Sequence, residues 1–294
     1  MIHGFLNIDK PAGLTSHDVV ARVRRIARQR RVGHAGTLDP AATGVLVLAL
    51  GGATRLIEYV QETTTKHYYA VVQLGITTTT DDAEGDVLDS APLPTLDPAA
   101  LDSTLALFRG TIMQVPPMYS ALHHEGQRLY ELARAGVVVK RPARPVVIER
   151  LELLDWSPPL LTLDVQCSKG TYIRSLARDL GAALGCGGYL QALRRTAVGT
   201  FYVEQAIPLG DLESDPAGLT NHVLPPEQAV LDWPAITLDA DETRRVRHGQ
   251  PLNLAEQAGD RLRAYTPDDG ALLALLVRAE GLWKPEKVFD WTTA

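Results

Sequence analysis

The stretch that decides the fold of this chain of 294 residues is Gly33-His34-Ala35-Gly36-Thr37-Leu38-Asp39-Pro40-Ala41-Ala42-Thr43-Gly44, followed by Val45-Leu46-Val47-Leu48-Ala49-Leu50. The glycines and the Asp-Pro pair predict a loop, and the apolar run predicts a buried strand. Because proline disfavours helical backbone in the residue before it, Asp39 is expected to project its carboxylate from an extended loop. Gly33, Gly36 and Gly44 leave room for the close approach of a substrate backbone. The same pattern is also typical of an ordinary turn, and local physics alone favours the turn.

The residues before this loop predict a strand, a turn and a helix. Residues 3–9 have strand character, residues 10–13 form a turn, and Thr15 or Ser16 caps a helix that runs to about Arg30. Apolar residues recur along it at helical spacing and leave the opposite face to arginines. These arginines are Arg22, Arg24, Arg25, Arg28, Arg30 and Arg31. A charged helix face is more often solvated than bound to a ligand, so the charge pattern favours a solvated surface over an RNA contact.

The residues after the loop mix strands and helices without regular alternation. The segments predicted as strands are residues 66–74, 146–154 and 160–167, and those predicted as helices are 101–108, 129–134 and 173–184. Residues 77–89 are polar and acidic, which predicts an exposed loop or an extended hairpin. The irregular order favours an α+β fold with a mainly antiparallel mixed sheet.

Length and composition predict two domains. We expect a large domain over residues 1–210, a linker rich in Pro, Gly and Asp over residues 211–232, and a small β-rich domain over residues 233–294. From residue 211 onward there are 8 Lys and Arg against 15 Asp and Glu, which leaves 21 against 20 in the first part. A local basic surface is therefore compatible with the net charge of −6.

Several classes of protein and of site are disfavoured by what the sequence lacks. It has no apolar stretch of roughly 18 residues and no secretory signal at its start, so a cytoplasmic protein without a membrane span is expected. Cys167 and Cys186 form no CxxC pair and are predicted to be buried, small apolar residues in a reducing compartment. His123, His124 and Glu125 lack metal-ligand spacing, and no phosphate-binding glycine motif is present. We therefore expect no metal and no cofactor, and no second acid can be paired with Asp39 from the sequence.

Six segments in order closely resemble motifs of the TruB family, the bacterial tRNA pseudouridine(55) synthases. They are Asp9-Lys10-Pro11-Ala12-Gly13-Leu14-Thr15-Ser16, residues 33–46, Lys66-His67-Tyr68-Tyr69-Ala70, Gln114-Val115-Pro116-Pro117-Met118-Tyr119-Ser120-Ala121-Leu122, Leu129-Tyr130-Glu131-Leu132-Ala133-Arg134, and Ser168-Lys169-Gly170-Thr171-Tyr172-Ile173-Arg174-Ser175-Leu176. Ala41 replaces a leucine that is usual in the family, and His123 replaces a common lysine. After Ile207 only a general likeness to the small RNA-binding PUA-type domain remains.

The resemblance implies an enzyme that flips uridine 55 out of the T-loop of tRNA and isomerises it to pseudouridine. Asp39 matches the essential aspartate, and the implied substrate-binding residues are His34, Tyr68, Arg174, Tyr172, Leu193 and Lys10. Arg174 matches an arginine that pairs with the aspartate, which would keep Asp39 ionised. The implied partner is the T-arm of tRNA, with no obligate protein partner, and a monomer is expected. Two alternatives are a non-catalytic RNA-binding or tRNA-folding protein on the same scaffold and a related synthase for another RNA; the second is disfavoured because no long basic tail is present.

Overall fold

The computed structural model describes residues 1–62, 65–120, 122–124, 126–137, 139–254 and 259–291. Ala121 and Glu125, which belong to segments considered above, lie outside the described residues.

The larger part of the fold is a mixed sheet of ten strands. The strands are β1 (Gly4–Lys10), β2 (Val32–His34), β3 (Thr43–Leu50), β4 (Lys66–Leu74), β7 (Gly110–Gln114), β10 (Arg144–Ser157), β11 (Leu160–Cys167), β12 (Gly188–Val198), β13 (Phe201–Tyr202) and β14 (Ile207–Pro208), numbered along the chain. Their main path is β14-β1-β3-β12-β4-β11-β10-β7, with β2 on β3 and β13 on β12. Among the strand pairs that the structure describes in this sheet, only β1–β14 and β3–β12 are parallel, so the predicted α+β fold with a mainly antiparallel sheet is confirmed.

The centre of this sheet positions the loop around Asp39. Strand β12 pairs with β4 along most of its length but with β3 at only two positions, where Arg194 lies opposite Thr43 and Arg195 opposite Gly44. Arg195 is also the partner of Tyr68 on the other side. The sheet therefore brings the end of the loop, β12 and Tyr68 together where β3 and β4 diverge.

Seven helices accompany the strands in the described part of the chain. They are α1 (Ser16–Ile26), α2 (Ile57–Glu62), α3 (Pro98–Ala106), α4 (Leu129–Arg134), α5 (Ile173–Ala183), α6 (Leu209–Ser214) and α7 (Ala240–Arg247). Helix α1 begins with a capping box, in which Thr15 and Asp18 bond each other's backbone N–H groups. It ends before the predicted Arg30, because Arg28 adopts a positive φ of 51° that a helix cannot continue through.

Residues 77–89, predicted as an exposed loop or an extended hairpin, form a hairpin from β5 (Ile76–Thr78) and β6 (Val87–Ser90). A second, short hairpin consists of β8 (His123–His124) and β9 (Gln127–Arg128). The first hairpin is tied to β12, because the N–H of Ala83 donates to the carbonyl of Leu190 and the N–H of Leu190 donates to that of Asp81.

The C-terminal region contains a sheet of four strands, in the order β15 (Ala235–Thr237), β16 (Arg261–Tyr265), β17 (Leu272–Ala279) and β18 (Leu282–Val288). This is the small β-rich unit that the sequence predicts. It shares an apolar cluster with the large sheet, in which Trp233 packs edge-on against Tyr59. The segment predicted as a linker holds most of α6 and two 3-10 helices, and Leu212, Leu219 and Val230 in it are buried. Among the described residues, no helix is both long enough and apolar enough to cross a membrane.

Candidate active site

The Asp39 loop comprises residues 35–42, between β2 and β3. Ser16 binds both backbone groups of Leu38 in this loop. The buried Ser16 hydroxyl accepts a hydrogen bond from the Leu38 N–H at 2.9 Å and donates to the Leu38 carbonyl at 3.2 Å. Ser16 is the first residue of α1, so the helix start expected from the sequence also anchors the loop. The backbone next to Asp39 is thereby fixed before any ligand binds.

Arg195 anchors the same loop from β12, although the sequence interpretation did not single it out. Its side chain is buried, with 1% of the residue exposed. Its guanidinium donates to the carbonyls of Val45 at 2.7 Å, Gly36 at 3.1 Å and Thr37 at 3.4 Å. A Cβ at Gly44 would lie 2.2 Å from the Arg195 carbonyl oxygen, so this glycine admits the neighbouring strand and not a substrate.

Lys10, expected from the resemblance to bind substrate, lies fully buried beneath the Asp39 loop. Its ammonium donates to the carbonyls of Leu14 at 2.7 Å, Pro11 at 2.9 Å and Pro40 at 3.1 Å. Burial lowers the pKa of Lys10 to about 8, opposed by the Asp39 charge. All three ammonium protons are used within the protein, so we infer that Lys10 supports the loop in place of contacting the substrate.

Asp39 and Arg174 meet in a two-pronged ion pair. The Arg174 Nε lies 3.0 Å from Asp39 Oδ2, and its Nη2 donates to Oδ1 at 3.2 Å. Arg174 is the second residue of α5, and its side chain is 7% exposed. The geometry is the planar fork that orients a carboxylate, so the aspartate and the arginine that the resemblance implied lie together as expected.

A second acid, Asp82, lies on the other side of the same guanidinium. Its Oδ2 is 3.5 Å from Arg174 Nη1, which also donates to the Thr80 carbonyl at 3.3 Å. The neighbouring Asp81 binds Arg178 of α5 at 2.9 Å. The acidic hairpin between β5 and β6 is therefore docked on α5 by two ion pairs. The sequence showed the acidic residues but not which of them would face an arginine.

The pKa of Asp39 is shifted upward, although a cation contacts it. Burial in the recess raises the pKa most, the Arg174 charge and its hydrogen bond oppose the rise, and the Asp82 charge adds to it. The side chain nevertheless keeps 41% of its surface exposed, so its oxygens remain open to a ligand. Arg174 lowers the pKa of Asp39, in the direction that the resemblance implied, but burial raises it by more.

Tyr68 and Tyr172 lie within electrostatic range of this carboxylate, and the third pocket residue that the resemblance implies, Leu193, lies on β12. Tyr68 on β4 is 6% exposed and joins the apolar core, and burial raises its pKa to about 12. Its phenol is within hydrogen-bonding reach of Arg195 and within electrostatic range of Asp39. Tyr172 caps α5, and burial raises its pKa too, with Arg174 and Asp39 among the charges that act on it. Leu193 on β12 packs between two apolar clusters.

His34 ends β2 at the start of the Asp39 loop, and its ring meets the edge of His17 with 5.3 Å between centroids. Its Nδ1 is buried and has no hydrogen-bond partner. Burial lowers the pKa of His34 to about 4, so the ring is neutral near pH 7. An uncharged aromatic ring is therefore presented beside the loop.

Arginines of α1 and of the segment that follows it are partly engaged by the protein itself. Arg22 pairs with Glu213 at 3.0 Å, Arg24 donates to the Val32 carbonyl at 2.8 Å, and Arg31 donates to Thr54. Elsewhere, Cys167 and Cys186 are both buried and free, as predicted. Within the described ranges, no three His, Cys, Asp or Glu side chains come together as a metal site.

Three family models match successive parts of the chain. The TruB family pseudouridylate synthase N-terminal domain matches residues 24–173, the tRNA pseudouridylate synthase B C-terminal domain residues 174–231, and the tRNA pseudouridine synthase II C-terminal region residues 233–290. Together they cover Asp39, Arg174 and the four-stranded sheet.

Named relatives and a solved structure are similar over most of the chain. The tRNA pseudouridine synthase B of Gloeobacter violaceus is 49% identical over 85% of this chain and 86% of its own length. That of Syntrophomonas wolfei is 45% identical over 93% of each chain. The crystal structure of a Cbf5-Nop10-Gar1 complex contains a chain with a TM-score of 0.75 and 28% identity, over 98% of this chain and 85% of that one.

Proposed function

The chain belongs to the TruB family of pseudouridylate synthases, and on that premise we propose that it isomerises uridine 55 in the T-loop of tRNA to pseudouridine with Asp39 as the essential carboxylate. The observation that carries the proposal is the ion pair of Asp39 with Arg174, at 3.0 and 3.2 Å, on a loop whose backbone is held by Ser16, Lys10 and Arg195. This arrangement keeps one accessible carboxylate in a defined orientation.

The reaction breaks the bond between ribose C1′ and uracil N1, turns the detached ring and joins C1′ to C5. The proton on C5 is released and N1 regains one, so the product is an isomer and no oxidant or reductant is consumed. An ionised Asp39 serves either of two routes: attack on the nucleotide to form a covalent adduct, or removal of the C2′ proton to form a glycal. Both need the charged oxygen that Arg174 orients.

The target base must leave the folded T-loop, at a cost of roughly a few kcal/mol for unstacking. We propose that Tyr68 stacks on the flipped uracil, that Tyr172 and Leu193 line the same pocket, and that His34 fills the space that the base leaves. A base stacked on an aromatic ring contributes about 1 to 3 kcal/mol, which is comparable with the cost of flipping. The neutral state of His34 suits this role, because inserting an uncharged ring among the bases avoids the cost of desolvating a charge.

Arg174 and Asp82 set the charge of the site. Arg174 contacts both carboxylates, so it offsets the charge of Asp39 while the docked hairpin limits its movement. Asp39, Arg174 and Asp82 come from one chain, and we propose that this chain acts on tRNA as a monomer. We also propose that it acts in the cytoplasm.

Tritium release from a T-arm stem-loop labelled at C5 of the target uridine tests the proposal. Wild type should release tritium, and Asp39→Asn should reduce the release to background while it still binds the RNA. Asp268→Asn, which removes a carboxylate from an exposed turn, is the matched control and should behave as wild type. Release by Asp39→Asn would refute its role. Tight binding without release by wild type would instead favour the non-catalytic RNA-binding alternative.

A further inference from the structure

No hydrogen bond holds the ring of His34 within the described parts of the chain. Its Nδ1 is buried without a partner, and its Nε2 bonds to none of the described residues either. The backbone of His34 is fixed, because it pairs with Leu48 of β3. The orientation of the ring about its side-chain torsions therefore depends on the groups that pack against it.

His17 supplies an aromatic contact to this ring. The two ring centroids are 5.3 Å apart and the ring planes meet at 84°, which is an edge-to-face arrangement. Such a pair is attractive, because the positive edge of one ring meets the negative face of the other. The His17 side chain is exposed, so its removal should have little effect on the stability of the protein. The contact is therefore better suited to orienting His34 than to building the core.

The first turn of α1 holds His17 in place. The capping box formed by Thr15 and Asp18 fixes the backbone on either side of His17. The preceding Ser16 binds both backbone groups of Leu38. The same helical turn therefore contacts the chain immediately before the Asp39 loop and again within it.

The charge of His17 acts on His34 in the same direction as burial. Burial lowers the pKa of His34 most, and the charges of His17 and Arg195 lower it further. Two protonated imidazoles at this separation would repel each other, so a charge on His17 disfavours one on His34. His17 thus favours both a fixed orientation and the neutral state of the ring.

We infer that His17 is a positioning residue for the His34 ring and holds it in the orientation in which it replaces the flipped base. This inference rests on the proposed function, because His17 acts only through the space-filling role proposed for His34. A ring that is oriented before the RNA arrives loses less conformational freedom when it enters the T-loop. The RNA with its base flipped out is then more populated, and Asp39 has its substrate in reach more often.

A double-mutant cycle with His17→Ala, His34→Ala and the double variant tests the inference. The measured quantity is the second-order rate constant of tritium release in single turnover. His17→Ala should lower it by about 2- to 10-fold, the range expected for the loss of an aromatic pair. In the His34→Ala background the same change should have almost no effect, because the pair is already absent. Equal losses in both backgrounds would overturn the inference.

Replacement of His17 by other side chains distinguishes the ring from its polar atoms. His17→Phe keeps an aromatic edge and should stay within about twofold of wild type, whereas His17→Gln should react as slowly as His17→Ala. The reverse order, with Gln active and Phe slow, would overturn the inference. His222→Ala is the matched control, because it removes an exposed histidine from the 3-10 helix Pro216–His222, and it should react as wild type does.

Thermal unfolding of every variant checks that the cycle compares folded proteins. His17 is exposed, so His17→Ala should unfold at the wild-type temperature. The cycle is repeated with His34→Gln, whose longer side chain fills more of the space, so that a folding defect of His34→Ala does not decide the outcome.

A fluorescent base separates this inference from the proposed function. With 2-aminopurine beside the target uridine and Asp39→Asn to block the reaction, unstacking of the T-loop should raise the fluorescence on binding. His17→Ala should reduce this rise, but not when His34→Ala is also present. If wild type released no tritium, the isomerase proposal would fail, whereas the fluorescence would still show whether His17 acts on the flipped state. An equal rise with and without the His17 ring would overturn the inference.

Discussion

Replacing Arg195 by methionine should reduce both the stability of the protein and the rate of its reaction, because the buried Arg195 side chain holds the Asp39 loop. The guanidinium makes two short hydrogen bonds to loop and strand carbonyls, at 2.7 Å to Val45 and 3.1 Å to Gly36, and a longer one at 3.4 Å to Thr37. A hydrogen bond to a charged group contributes about 1.5 to 3 kcal/mol, so the two short bonds together represent about 3 to 6 kcal/mol. The wild-type protein buries this cation without a carboxylate partner, which is unfavourable. The variant avoids that desolvation cost, which offsets part of the lost hydrogen-bond energy. We expect the free energy of unfolding to fall by about 2 to 4 kcal/mol.

The same change should also lower the rate, by an activation free energy similar to the loss of stability, since 100-fold corresponds to about 2.7 kcal/mol. With Gly36 and Thr37 released, the Asp39 loop loses its attachment to β12, and a displacement of about 1 Å at a catalytic group can reduce the rate roughly 100-fold. Tritium release in single turnover, measured well below the melting temperature, gives the rate, and urea unfolding gives the stability. Methionine retains much of the volume of the arginine side chain. The measured losses of stability and rate therefore reflect the missing hydrogen bonds and charge more than an empty cavity.

Arg194→Met is the control, because it removes the neighbouring arginine of the same strand. Arg194 pairs with Asp9 at 2.7 Å, but its side chain is 40% exposed, and such surface pairs contribute about 0 to 1 kcal/mol. It should therefore unfold and react nearly as wild type does. If both variants lost stability and rate equally, or if Arg195→Met kept the wild-type rate, the assignment of Arg195 as the anchor of the loop would be refuted.

Three further predictions concern the pocket. Asp82→Asn removes a charge that raises the pKa of Asp39, so the acid limb of the pH–rate profile should move to lower pH; a move to higher pH contradicts this arrangement. Tyr68→Ala should lower turnover by about 10- to 100-fold with a smaller loss in RNA affinity, and Tyr68→Phe should keep the stack; equal losses in rate and affinity would indicate docking instead. The unfolded His34 gains its proton near pH 6.5 but the folded one only near 4, so its contribution to stability falls as pH drops through that window. Urea unfolding should therefore show that the free energy of unfolding falls by about 1 to 2 kcal/mol less in His34→Phe than in wild type when the pH is lowered from 7.5 to 5. An equal fall in both proteins would show that His34 titrates normally.

The elements that sequence predicted well are those that local pattern determines. Strand β4 has the predicted bounds 66–74, because alternation and β-branched or aromatic side chains suit a pleated surface. The exposed carboxylate of Asp39 and the start of α1 followed from the Asp-Pro pair and the capping residues. The early end of α1 did not, since the left-handed Arg28 reflects the path that the chain takes to β2.

The charged contacts of the site were beyond sequence reasoning because they join distant residues. Asp82 and Arg174 are 92 positions apart in the sequence, and nothing local distinguishes Asp82 from Asp81. Arg195 has the sequence character of an exposed strand residue, yet it is buried because β3 and β4 diverge around it. The folding of the segment at 211–232 was missed for a similar reason: its Leu212 and Leu219 are buried in an apolar cluster with residues of α1, β1 and β3, which are distant in the sequence.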